Sequence, residues 1–331
     1  MPVRSRRQVG KRGIMRGLII DIGQKKELRE ILSRDILDYQ IERLQVEKML
    51  SDIVVLTDTI EQDYQQGNVS YCACSELPKY EKLKAILDDR PFLLIYGPIL
   101  NTFPLENLRE QFWATQADIV CLSGGCFYGE TFGVEIDDLH RLTSAFGTGG
   151  PLNNIYIINP LILTYYFHER FEIQTFLAEM LKHHRKIFCL NNTEWLEYIN
   201  TYPAYFQTTK YLLQQPGLQG TKIHNSFYGK NCEIDFSVEL HGRQFFGDDC
   251  QAGAASILQN SVFLSGVTVG ANSRVSDSIL QKHVKIGNNC ELDNCLLGEN
   301  CQIGDNVRLP RGTILAADSV VRTDSGVLNV L

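Results

Sequence analysis

Between residues 17 and 190, short apolar runs alternate with longer stretches in which apolar positions recur every three or four residues. The runs GLIIDI (17–22), DIVVLTD (52–58), VSYCAC (69–74), FLLIYG (92–97), DIVCLS (118–123), NIYIIN (154–159) and KIFCL (186–190) predict strands. The stretches ILDYQIERLQVEKML (36–50), LPKYEKLKAIL (77–87), LENLREQFWAT (105–115) and EIQTFLAEMLKHH (172–184) carry the helical period. Such alternation predicts an α/β fold with a Rossmann-like, mainly parallel sheet in three layers, whose ligands bind at the carboxyl ends of the strands. Gly23 and Tyr96-Gly97-Pro98 stand at those ends.

After Pro216 the pattern changes to short apolar steps separated by Gly, Asn and Asp. Val269-Gly270-Ala271-Asn272, Ile286-Gly287-Asn288-Asn289 and Ile303-Gly304-Asp305-Asn306 repeat at an offset of 17. Phe246, Phe263, Leu280 and Leu297 form a second column at that offset, and Cys250, Val267, Val284 and Cys301 a third. Within each period the steps fall at about six, five and six residues, the pattern of hexapeptide repeats in a left-handed parallel β-helix. Gly and Asn suit its corners because both tolerate positive φ. Residues 228 to about 321 leave room for five to six coils. Cys232, Cys250, Cys290 and Cys301 take small interior steps and read as core packing. The expected organisation is a basic, flexible extension over 1–14, an α/β domain over 15–215 and a β-helix domain over 216–331.

Composition narrows the function. The 331 residues are 44 % hydrophobic and 21 % charged, with a net charge of −7, so the bulk surface repels nucleic acid and anionic lipid. The one basic run holds Arg4, Arg6, Arg7, Lys11, Arg12 and Arg16 and lacks the apolar core of a signal peptide. No apolar run is long enough to span a membrane. Ten cysteines without disulfide-scaffold spacing point to a reducing, cytoplasmic compartment. Cys72 and Cys74 have no second Cys pair or His cluster near them, so no metal site is expected there.

An α/β domain followed by a left-handed β-helix resembles the sugar-1-phosphate nucleotidyltransferases, such as the ADP-glucose and GDP-mannose pyrophosphorylases. The segments that carry the resemblance are ILDYQIERL (36–44), DIVVLTD, DDRPFLLIYG running into LENLREQFWATQADIV, NNIYIINPLIL (153–163) and WLEYINTYPAYFQTTKYLL (195–213). Such an enzyme joins a sugar 1-phosphate to a nucleoside triphosphate and releases pyrophosphate. The chemistry needs Mg²⁺ on carboxylates, cations on phosphates and a glycine-rich loop of backbone donors.

The same resemblance implies that this chain lacks those parts. The Gly-x-Gly-Thr-Arg-Leu loop corresponds to Gly23-Gln24-Lys25-Lys26-Glu27-Leu28, with one glycine and no Thr-Arg pair. The Pro-Lys strand that follows in the family is missing, and the base-recognition turn corresponds to Leu77-Pro78-Lys79-Tyr80. The two metal aspartates correspond to Pro98, which has no side-chain ligand atom, and to Tyr198, a neutral phenol and a poor ligand for a hard cation. Ser144 to Gly150, where the family has Glu-Lys-Pro, contains neither an acid nor a lysine.

The expected function is therefore that of a catalytically degenerate pseudoenzyme, with no catalytic residue and no cofactor. It would act as a regulatory or structural subunit in a homo- or hetero-oligomer, assembled through the β-helix and the nucleotidyltransferase-like domain with an active paralogue. The nucleotidyltransferase-like subunits of a translation-initiation exchange factor provide a precedent within the resemblance. Gly23, Lys25, Lys26, Tyr96, Gly97, Asn153 and Asn154 are the candidate lining of a residual pocket for a sugar-phosphate or nucleotide effector. One alternative is an active nucleotidyltransferase with atypical ligands, needing Mg²⁺ and drawing on Asp88, Asp89, Asp137 or Asp138. A second is a hexapeptide-repeat acyltransferase using His224, His241 or His283, although no long loop interrupts the coils to build its site. His183-His184 read as a complement to a helix C-terminus, and Trp113 and Trp195 as packing residues.

Overall fold

The computed structural model describes residues 14–78, 80–125, 128–166, 168–215, 221–223 and 225–322. The basic extension before residue 14, Lys79, Pro216 and His224 lie outside the described residues. The chain divides into two units. The first holds the described residues up to Arg29 and Asp35–Ala204, and the second holds Glu30–Arg34 and the described residues from Tyr205 onward. The second unit thus starts eleven residues before the expected position 216 and recruits a five-residue piece from far upstream.

The first unit is built on strands β1 (Met15–Asp21), β2 (Leu50–Thr57), β3 (Tyr64–Gln66), β4 (Val69–Ala73), β5 (Phe92–Tyr96), β7 (Ile119–Ser123), β8 (Leu152–Ile158) and β9 (Ile187–Asn191). Their order across the sheet is β9-β7-β8-β5-β1-β2-β4-β3. β1 lies parallel to β2 and β5, β2 to β4, and β7 to β9, while β8 runs antiparallel between β5 and β7. β6 (Ile99–Asn101) pairs antiparallel with β10 (Leu196–Tyr198) beside this sheet. All seven strands expected from the apolar runs are present.

The three-layer arrangement follows from side-chain alternation. In β1, Leu18 and Ile20 enter one core with Phe176, Leu177 and Met180 of helix α4 (Ile173–Lys182), while Ile19 enters the other. That second core takes Leu37, Ile41 and Leu44 of α1 (Ile36–Gln45), and Leu105, Leu108 and Phe112 of α3 (Leu105–Thr115). Helix α2 (Tyr80–Ile86) contributes Leu83 to the first core. Asp35 caps α1 by accepting from the Leu37 amide at 2.8 Å. α1 ends at Gln45 instead of continuing to residue 50, because Met49 and Leu50 are needed to start β2 alongside Met15. Trp113 is a further departure, since it is 42 % exposed at the outer side of α3 with its ring edge-on to Phe112.

In the second unit the chain winds as a left-handed parallel β-helix with three flat faces. Phe246, Phe263, Leu280 and Leu297 stack inside it, as do Cys250, Val267, Val284 and Cys301, and Val269, Ile286 and Ile303. Tyr228, Phe246 and Phe263 continue one column as parallel rings, 5.1 and 4.8 Å apart. The offset of 17 holds for the central coils, and the outer coils take 18, as where Glu233 pairs with Gln251 and Leu297 with Leu315. The residue is lost at one corner: Glu239 and Phe245 are six positions apart, whereas their partners Ile257 and Val262 are five apart. One column of corners carries positive φ at Asn231, Asp249, Gly266, His283, Asn300 and Asp318, and the other two corner columns do so in the central coils, as at Ala255 and Asn260. The interior thiols donate to carbonyls of the next coil, Cys250 to Leu264 at 3.2 Å and Cys290 to Gly304 at 3.0 Å. Helix α5 (Tyr202–Gln214), not expected from the sequence pattern, supplies the second unit with Lys210, whose ammonium lies 3.5 Å from Asp277.

Candidate functional site at the strand ends

In the first unit, β5 ends at Tyr96 and the chain reverses through Gly97-Pro98 into β6. Gly97 has φ +88, and its amide donates to the Ile20 carbonyl at 2.8 Å. The Pro98 carbonyl accepts from the Ile199 amide at 2.8 Å. From α1, the buried Gln40 donates through Nε2 to the carbonyls of Gly97 at 2.8 Å and Ile99 at 3.1 Å, which fixes the turn. Tyr198 lies across Gly97, where a Cβ would come within 2.7 Å of its ring. A side chain at 97 therefore meets both a steric clash and an unfavourable φ.

The turn forms the floor of a cavity of about 170 Å³. Gly23, Lys25, Tyr96 and Gly97 line it, together with Pro98, Tyr198, Gln24 and Asn200. Lys26, Asn153 and Asn154 are not part of this lining. Lys26 opens the short helical turn Lys26–Leu28, Asn153 donates through Nδ2 to the Gly124 carbonyl, and Asn154 accepts from the Tyr156 hydroxyl at 3.1 Å. The Tyr96 phenol is pushed well above its ordinary value, first by burial and then by the neighbouring Tyr198, so it presents a neutral hydroxyl. Pro98 supplies no donor or acceptor beyond its carbonyl.

The loop after β1 is engaged with the protein's own carboxylates. The Gly23 amide donates to Asp58 Oδ2 at 2.8 Å. Arg29 places Nη2 2.5 Å from Asp21 Oδ2, Nη1 3.5 Å from Asp58 Oδ1 and Nε 3.5 Å from Asp35 Oδ2. Asp21 is buried at the end of β1, and burial raises its pKa against the opposing pull of Arg29. Three carboxylates thus surround one guanidinium. A phosphate oxygen 4 Å from one of them would meet a repulsion of about 4 kcal/mol at an effective dielectric of ~20. Lys25 sits 5.4 Å from the centre of the Tyr202 ring.

Glu197 is a carboxylate that the sequence reading passed over, although it lies two positions past Trp195. It is buried, and its Oε1 accepts from the amides of Tyr128 at 3.0 Å and Gly129 at 2.6 Å, bracing that loop. Strand alternation sends it away from Tyr198 and the cavity. Asp88 pairs with Arg90 before β5, and Asp137 pairs with Arg141. Both carboxyls are held below their ordinary range chiefly by those arginine hydrogen bonds. Among the described residues no group of three or more His, Cys, Asp or Glu is placed to hold a metal ion. In the second unit, His241 faces Glu239 at 3.2 Å and His283 occupies a corner with φ +58. No described helix is long and apolar enough to cross a membrane.

Comparison with known proteins bears on the second unit. A family model described as the EIF2B subunit epsilon LbH domain matches residues 224–327. No curated protein matches the chain. Over that region the chain is similar to the left-handed β-helix of the EIF2B epsilon subunit, in agreement with the coil geometry.

Proposed function

We propose that this chain is a non-catalytic, nucleotidyltransferase-like subunit with a regulatory or structural role in an oligomeric assembly. The observation that carries this reading is the strand-end cavity. Pro98 and Tyr198, which the resemblance to nucleotidyltransferases aligns with metal-ligand positions, line this cavity, and the Gly23 amide is already bonded to Asp58. A loop already crowded by Asp21, Asp35 and Asp58 repels the phosphates of a nucleoside triphosphate instead of neutralising the charge that builds up in phosphoryl transfer. The α/β unit is then retained for its surface and for any small neutral ligand the cavity admits.

The matched family model is drawn from a subunit of EIF2B, not from a pyrophosphorylase. That similarity favours an assembly of the exchange-factor kind over a complex with an active pyrophosphorylase paralogue. The prism suits this role mechanically, because a column of interlocked coils is rigid and repeats its exposed positions at a fixed spacing.

The test is affinity purification of the full chain from its native cells at physiological salt, followed by native mass spectrometry. Stoichiometric co-eluting subunits are expected. A monodisperse chain with no partner would overturn the reading.

A further inference from the structure

The second unit contains a groove of about 630 Å³, both of whose walls belong to that unit. One wall is the hairpin segment Glu30–Arg34. The other is a corner of the prism along which Lys230, Asp248, Ser265 and Lys282 follow one another at offsets of 18, 17 and 17. Each of these four directly precedes a corner residue of positive φ (Asn231, Asp249, Gly266 and His283), so they occupy equivalent places in four successive coils.

We propose that this groove docks a short, extended, acidic segment bearing an apolar side chain, contributed by a partner subunit. Three coil spacings of about 4.8 Å give a track of about 14 Å, the length of roughly four extended residues. Apolar contact is offered mainly by the half-buried Tyr228, beside the buried Leu32 and Phe245. Three cations, Arg34, Lys230 and Lys282, and two carboxylates, Glu30 and Asp248, line the groove, which leaves it one charge positive and favours an acidic segment. Lys282 is paired with Glu30 at one end, and Asp248 accepts from the Lys230 amide at 2.7 Å. The exposed Lys230 ammonium, at the other end, has no ion-pair partner among the described residues. This cationic end belongs to a chain of net charge −7, whose own basic extension has the wrong sign to occupy it.

The hairpin wall is built to hold its position. Leu32 and Ser33, at φ +52 and +60, form its turn without a glycine, a conformation that L residues adopt only when their surroundings enforce it. Leu32 is buried, and the Glu30 carbonyl accepts from the Tyr205 hydroxyl at 2.7 Å. A rigid wall lowers the entropy cost of ordering a segment against it.

The proposal rests on the subunit reading above and is tested apart from it, on the isolated full chain. The probe is a panel of fluorescein-labelled octapeptides rich in Asp and Glu, with one Phe or Leu at each position, beside Lys-rich counterparts. Fluorescence anisotropy should show acidic members binding and Lys-rich ones not. Lys230→Glu should weaken binding at least tenfold. Lys285→Glu, on the strand Lys285–Ile286 of another prism face, should leave it unchanged, with both variants melting like the parent. Failure of the whole panel to bind, or equal binding to Lys230→Glu, would overturn the proposal. Displacement of bound peptide by low-millimolar inorganic phosphate would assign the groove to a small anion and would likewise overturn it. Recovery of partner subunits from cells is scored separately, so either reading can fail alone.

Discussion

Replacing Arg29 with methionine removes a charge while keeping most of the side-chain volume, and its effect follows from what remains. Asp21, 3 % exposed, loses the guanidinium 2.5 Å away and keeps only the Thr57 hydroxyl at 3.2 Å. Removing one partner of a buried ion pair costs about 3–5 kcal/mol when the other stays charged. At pH 8 that is the expected loss for Arg29→Met. Burial already raises the Asp21 pKa above its ordinary 3.8, and losing Arg29 raises it further. The folded variant therefore holds a proton on Asp21 at a pH where the unfolded chain has released it. Stability of the variant accordingly falls as pH rises from about 4 upward, and the penalty shrinks toward pH 5. The double variant Arg29→Met/Asp21→Asn should recover most of the loss at pH 8. Both tryptophans, Trp113 and Trp195, lie in the first unit, so urea unfolding followed by their fluorescence reports the unit in question. A loss below about 1 kcal/mol at pH 8, or no recovery in the double variant, would refute the claim that Arg29 holds a buried carboxylate at this site.

Gly97→Ala should destabilise the first unit by about 1–3 kcal/mol and displace the Tyr198 ring, since the new Cβ meets it at 2.7 Å and φ is +88. Tryptophan-detected melting together with a tyrosine ring shift by NMR checks this. Cys250→Val matches the residue found at Val267 and Val284 in the same column, so stability at pH 7 should change by less than about 1.5 kcal/mol. Burial pushes the Cys250 thiol from 9.0 up to about 12, so the parent loses stability as pH rises between those values. The valine variant should lose about 1.4 kcal/mol less per pH unit in that window, as seen in guanidinium unfolding at pH 9 and pH 11. Phe246→Ala opens the ring column between Tyr228 and Phe263 and should cost about 3–5 kcal/mol in the second unit, measured by far-UV circular dichroism.

Apolar periodicity located the seven central strands because each is an uninterrupted core run, and it located the prism because the interior columns repeat without gaps. It did not find the end of α1, where Val46 and Met49 extend a helical pattern that strand pairing overrides. Nor did it find α5, whose Tyr, Thr and Gln positions lack a clean apolar stripe until the residues it packs against are known. The coil offset of 17 was read from the centre, where one corner is a residue short, and the outer coils return to 18.

At the strand ends, Pro98 and Tyr198, which the sequence resemblance singles out, line one cavity. The residues that complete the site had no local signal. Gln40 acts through two carbonyls more than 55 positions away, and Glu197 through amides near residue 128. The three carboxylates around Arg29 are Asp21 and Asp35, from the neighbouring sequence, and Asp58, from the end of another strand, which only tertiary structure brings in. Sequence spacing reveals repeats and local periods. It does not reveal which distant polar groups satisfy one another.

The most direct measurement of the central claim is pyrophosphate release by the purified full chain and by Pro98→Asp. Each is incubated with Mg²⁺, each of the four ribonucleoside triphosphates, and glucose or mannose 1-phosphate. Neither protein should exceed the enzyme-free rate, because restoring one carboxylate leaves Tyr198 and the carboxylate-bound loop in place. Sustained release of pyrophosphate with formation of a nucleotide-sugar by the parent chain would contradict the account.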